Sequence, residues 1–102
     1  MQTLIQESIN VSAVFRGFKD ENESMGNDWT HKRIEPLSFK RKNNKIYKIA
    51  QIRKSYPRRK GESLHVHFVI RTTEDEYFDI VYDSQKITWI LMYQFDDELL
   101  FN

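Results

Sequence analysis

The chain has no cysteine, and only three glycines and two prolines in 102 residues. Without cysteine, disulfides and thiolate-held metals are excluded, and a reducing, cytoplasmic setting is the natural expectation. Gly17, Gly26 and Gly61 stand singly, so no glycine-rich loop can cradle a phosphate. No G-x-S-x-G elbow or other nucleophile–base pair is present. No apolar run approaches the roughly 20 residues of a bilayer crossing. Met1 to Asn10 also lacks the basic and apolar regions of a secretory signal. These absences point to a non-enzymatic domain without cofactor, metal or membrane partner.

What is present is enough for one small core. Hydrophobic residues make up 39% of the chain and aromatics 14%, and a chain of this size buries roughly two thirds of its unfolded surface. One domain spanning residues 1–102 is expected.

The net charge of +1 conceals a segregation. Residues 32–60 hold 12 of the 16 Lys and Arg, and only one of the 15 acids, Glu35. Carboxylates dominate the remainder. A segment this basic is a candidate surface for anionic partners if the fold displays it together.

Apolar alternation marks the strands. Ile5, Ile9, Val11, Ala13 and Phe15 share one parity from Leu4 to Phe15. Glu7 interrupts that parity, which places the start of pairing near Ser8. The polar run 19–33 reads as a mobile loop, in which Trp29 either caps the core or serves as an exposed binding aromatic. Pro36 opens a short strand, Leu37 to Arg41. Asn43-Asn44 forms a tight turn, and Lys45 to Ser55 follows. A β-bulge at Ala50-Gln51 would bring Ile52 inward with Tyr47 and Ile49.

Residues 56–62 read as a basic loop. Leu64 to Thr72 alternates cleanly, with His65, His67, Val69 and Arg71 outward. An acidic turn at 73–76 leads to Tyr77–Tyr82, and a turn at 83–85 leads to Ile87–Phe95. The expected fold is all-β: five or six antiparallel strands in a curled meander sheet or half-open barrel. Its core would include Ile9, Val11, Phe39, Tyr47, Ile49, Phe68, Ile70, Ile80, Trp89 and Leu91.

In residue order the chain resembles a small bacterial β-domain family found beside or fused to Y-family DNA-repair polymerases. The resemblance is carried by Ile5-Gln6-Glu7-Ser8-Ile9-Asn10-Val11, by Pro36-Leu37-Ser38-Phe39 leading to Lys45-Ile46-Tyr47-Lys48-Ile49, by Phe68-Val69-Ile70-Arg71-Thr72, and by Tyr77-Phe78-Asp79-Ile80 with Trp89-Ile90-Leu91. These are core-patterning residues spread over most of residues 4–95. The resemblance implies a β-domain and an association with DNA repair, and no reaction.

The basic segment is the leading binding candidate. Arg41, Lys42, Lys45, Arg53, Lys54, Arg58, Arg59 and Lys60 would contact phosphates with release of counterions. Tyr56 lies among them, where an aromatic can stack on an unpaired base. The plainer alternative is a solvated face balanced by neighbouring acids. The partner expected is nucleic acid or a DNA-repair protein. The competing expectation is a protein–protein adaptor or homodimer that uses an exposed strand edge.

His65 and His67 lie about 7 Å apart on one strand face. They would chelate zinc only with a third ligand from His31, Asp79 or Asp83, and a polar outer face is the simpler reading. Asp79 and Asp83, with Glu74, Asp75 and Glu76, form an acidic group, most of it in turns, where Asp is favoured for local hydrogen bonding. The acidic–apolar tail 96–101 reads as a docking peptide or a frayed end.

Overall fold

The computed structural model describes residues 2–17 and 33–96. Trp29, His31, nearly all of the loop at 19–33 and the tail beyond Asp96 lie outside the described residues. Six antiparallel strands follow one another: β1 (Gln2–Phe15), β2 (Ile34–Lys40), β3 (Ile46–Lys60), β4 (Ser63–Thr72), β5 (Tyr77–Asp83) and β6 (Thr88–Phe95). Each pairs with the next, and β1 pairs with β6, so the order closes into a barrel.

Closure depends on two long strands that change partner. The first half of β1, Gln2 to Ile9, lies on β6, and the second half, Asn10 to Phe15, lies on β2. β3 pairs with β2 only from Ile46 to Lys48, then turns onto β4 from Ile49 to Lys60. The register of β3 on β4 shifts between Ile49 and Gln51, where the parity switch in the sequence places a bulge, and again between Ile52 and Lys54. Bulges bend and twist a strand, and these two sit at the β3 corner. As a result, β3 outruns β2. Past Lys48 it is a long arm paired with β4 on one side and with no described strand on the other.

Cross-strand partners share a face, so the inward set reads off the register. Ile9, Phe39, Tyr47, Val66, Phe68, Ile70, Phe78, Ile80, Tyr82, Trp89 and Leu91 form the buried core, with Val11, Ile49 and Ile52 packed against it. Phe39 stacks on Tyr47 with ring centroids 4.9 Å apart, and both meet Phe78 edge-on at 5.6 and 5.5 Å. At the other end Tyr82 packs on Trp89 and takes the edge of Phe15. Truncating the fully buried Phe39 to alanine would cost about 3–5 kcal/mol.

Several expectations need correction. β1 pairs from Gln2 rather than from Ser8, because its register slips between Leu4 and Glu7 and Gln6 takes a left-handed φ of 53°. Pro36 is the third residue of β2, fully buried, rather than its opener. The basic loop expected at 56–62 is strand as far as Lys60, with the turn confined to Gly61-Glu62. Gly61 has a φ of 63° there, a conformation glycine adopts without strain. Ile87 does not open β6; it ends the preceding turn at φ 55° and is 74% exposed.

Candidate nucleic-acid interface

The turn sequence places the first three candidate cations. Asn44 takes a φ of 70°, as the Asn-Asn turn requires, and the hairpin brings Arg41, Lys42 and Lys45 to one end of the barrel. The acidic β4–β5 turn lies at the same end. Lys45 Nζ is 3.1 Å from Glu74 and 4.0 Å from Glu76, and Glu74 holds the ammonium more firmly protonated than usual. Arg41 donates from Nε and Nη2 to the two carboxylate oxygens of Glu7, at 3.2 and 2.8 Å. Lys42 adds its backbone N–H at 3.0 Å.

Glu7 lies opposite the inward Leu91, so this acid on the apolar parity enters the end of the barrel and must be compensated there. The Arg41 guanidinium, with the Lys42 amide, holds its carboxyl down at about 2. Two of the candidate cations, Arg41 and Lys45, are thus already neutralised, contrary to a freely displayed basic cluster. Glu35, the one acid of the basic segment, is engaged by Arg16 at 3.1 Å.

The β3 arm is different. Lys54, Tyr56, Arg58 and Lys60 alternate on it opposite Val69, His67, His65 and Ser63 of β4, and all four face outward. Arg59 has the other parity but is exposed. Arg53 sits in the second bulge and donates to the Gln51 side chain at 3.2 Å. Among the described residues, Lys54, Arg58, Arg59 and Lys60 have no carboxylate partner.

No family model, curated protein or solved structure matches this chain.

The outer face next to the arm is more ordered than the sequence suggests. The two histidines of β4 each meet a carboxylate of β5. His65 Nε2 is 3.3 Å from Asp83 Oδ2, and His67 Nδ1 is 3.1 and 3.3 Å from the two oxygens of Asp79. An ionised carboxylate only accepts, so His67 donates from Nδ1.

Asp83 also accepts from Ser63 Oγ at 2.7 Å and from the amides of Gln85 and Lys86. The Ser63 hydroxyl first, and these amides with it, hold its carboxyl down at about 2. Asp79 is a buried residue inside β5, as its place in the Tyr77–Tyr82 strand suggests, and Asp83 ends the strand and ties the following turn. His67 and Asp79 are only 8% and 4% exposed, so this polar outer face is closely packed. Each imidazole is occupied by its own carboxylate. Among the described residues no group of three His, Asp or Glu could hold a metal ion.

Tyr56 joins the arm to this network. Its ring lies parallel to the His67 imidazole, within 6° and with centroids 4.7 Å apart, and the Lys54 ammonium lies 5.2 Å from its centroid. Burial raises its phenol above the ordinary range. On β6 the register shift skips Met92 and sets Tyr93 opposite Asp79, on the same outer face. His67, Asp79 and Tyr93 were not among the expected binding residues. The register of β3 on β4 is what pairs them with Tyr56, and two bulges hide that register from a count along the sequence.

No helix among the described residues is long and apolar enough to cross a membrane.

Proposed function

We propose that this is a non-enzymatic, cytoplasmic binding domain that holds nucleic acid along the outer face of the β3 arm, from Lys54 to Lys60. The observation that carries the reading is the contrast within the basic segment. Arg41 and Lys45 of the hairpin meet Glu7, Glu74 and Glu76, whereas Lys54, Arg58, Arg59 and Lys60 form no ion pair among the described residues. Unpaired cations spaced along a strand offer an extended phosphate backbone a row of contacts, each releasing a counterion. The residue-by-residue resemblance to domains associated with DNA-repair polymerases supports the same partner class.

The test is titration of a labelled oligonucleotide at roughly 50 and 200 mM salt. Binding that weakens steeply with salt is expected. Absence of binding at the lower salt would remove nucleic acid as the partner.

A second reading, a protein adaptor, is favoured by the edge of β3 that no described strand pairs with past Lys48. An extended segment could add there as a further strand. Pairing two copies edge to edge would set Arg59 and its neighbours against their own equivalents, so this reading calls for an acidic partner rather than a homodimer.

A further inference from the structure

We infer that the arm takes single-stranded rather than duplex nucleic acid, with one unpaired base stacked on Tyr56; this rests on the nucleic-acid reading above and specifies its ligand. The imidazole that covers one face of Tyr56 belongs to β4, so the other face is turned away from β4. On that side β2 has already diverged, because its pairing with β3 ends at Lys48. No described strand blocks the approach. Besides His67, the Lys54 ammonium lies over the ring; it sits at the end of a flexible stem and can move to a phosphate while a base takes its place.

The ring is also held in position. His67 backs it in parallel, and Asp79 fixes His67 through both carboxylate oxygens. The whole stack is anchored in a buried part of the sheet, so a base meets a platform that is already oriented. Preorganisation of this kind lowers the ordering cost of binding. Arg58 and Lys60 follow on the same face at successive steps of ~7 Å, which suits the adjacent phosphates of an extended single strand. A duplex keeps its bases stacked on each other and offers none to Tyr56. Base-on-aromatic stacking is the sequence-tolerant half of single-strand recognition, and the cations supply the other half.

The experiment compares a labelled oligo-dT 12-mer, a blunt duplex of equal length and inorganic polyphosphate, each with the wild-type chain and with Tyr56→Leu at one fixed salt. The wild type is expected to prefer the single strand. Tyr56→Leu should lose about fivefold to a hundredfold on the single strand and change little on duplex and polyphosphate. Equal affinity for the single strand and the duplex, or a Tyr56→Leu variant that binds the single strand as well as wild type, would overturn the inference while leaving the arm as a polyanion site. Failure of the wild type to bind any of the three would instead overturn the arm itself. Because Tyr56→Leu could disturb the fold, ultraviolet crosslinking of the wild type to iodouracil-substituted oligo-dT gives an independent reading. A crosslink mapped to Tyr56 supports the stack, and crosslinks confined to other residues overturn it.

Discussion

The β2–β3 turn and the β3 arm draw on the same basic segment, yet the fold treats them in opposite ways. In the turn, Arg41 and Lys45 are spent on the molecule itself. Arg41 compensates Glu7, whose side chain is only 19% exposed, and Lys45 ties the basic turn to the acidic turn beside it. On the arm, Lys54, Arg58, Arg59 and Lys60 form no ion pair among the described residues. Sequence neighbours with equal charge can therefore differ completely in what they leave available to a partner. Local acid placement, set by register, decides which of them is a candidate for binding.

That comparison breaks most directly by charge reversal. Replacing Arg58, Arg59 and Lys60 together with Glu should weaken oligonucleotide binding by at least about tenfold and flatten its dependence on salt. Each lost single-strand phosphate contact removes roughly 0.7 from the logarithmic salt slope. Lys45→Gln, in the turn, where the ammonium is already paired with Glu74, should change binding far less. If the two sets weaken binding equally in anisotropy titrations, the distinction between turn and arm is wrong.

Stability should show the reverse pattern. Arg41→Ala leaves a partly buried carboxylate without its bidentate donor and should cost about 1–3 kcal/mol, the range for a hydrogen bond to a charged group. Arg58→Ala should be close to neutral, as exposed substitutions usually are. Urea unfolding of both variants checks this. Equal midpoints would mean that the Glu7–Arg41 pair contributes nothing to the fold.

Acid sharpens the same point. Glu7 titrates at about 2 in the fold against an ordinary 4.5, and Asp83 at about 2 against 3.8. The unfolded chain therefore takes up protons first as pH falls. The stabilisation from these two carboxylates is complete above their ordinary values and drains away as pH drops from there toward 2. Urea midpoints should fall over that window, and Glu7→Gln should fall less steeply than wild type while starting lower. An unchanged slope in Glu7→Gln would show that its carboxylate is not held as the geometry implies.

The strand order, the turn at Asn43-Asn44, the bulge beside Ala50 and most of the core were legible in the sequence, because alternation and turn chemistry are local. The sites were less legible, for reasons visible at particular residues. Glu7 looked like a break in a strand. It is in fact an inward acid whose partner lies 34 positions away, and no local pattern announces such a pair. Residues 56–60 looked like a loop, because Pro57 and three consecutive cations are poor strand formers. Pairing with β4 overrides that propensity. For His65 and His67 the sequence offered Asp79 or Asp83 as a shared third ligand; the β4–β5 register instead gives each histidine its own carboxylate.

Pro57 offers the subtlest test of the arm, and the smallest expected effect. It pairs opposite Val66 on β4, and a proline is tolerated inside a strand only where its nitrogen faces away from the ladder. Its nitrogen must then point to the bare edge, where it withholds a donor from any incoming strand. Together with Arg59 and two bulges, this is a set of devices that keep a long edge from pairing with copies of itself. Pro57→Val restores the N–H and favours strand geometry without touching the outward column at Lys54, Tyr56, Arg58 and Lys60. Weak self-association is expected in sedimentation at high protein concentration, stronger at high salt, where the repulsion between arms is screened, and stronger again when Arg59→Thr is added. A variant that stays monomeric under all three conditions would show that neither Pro57 nor the repulsion between arms is what keeps the β3 edge unpaired.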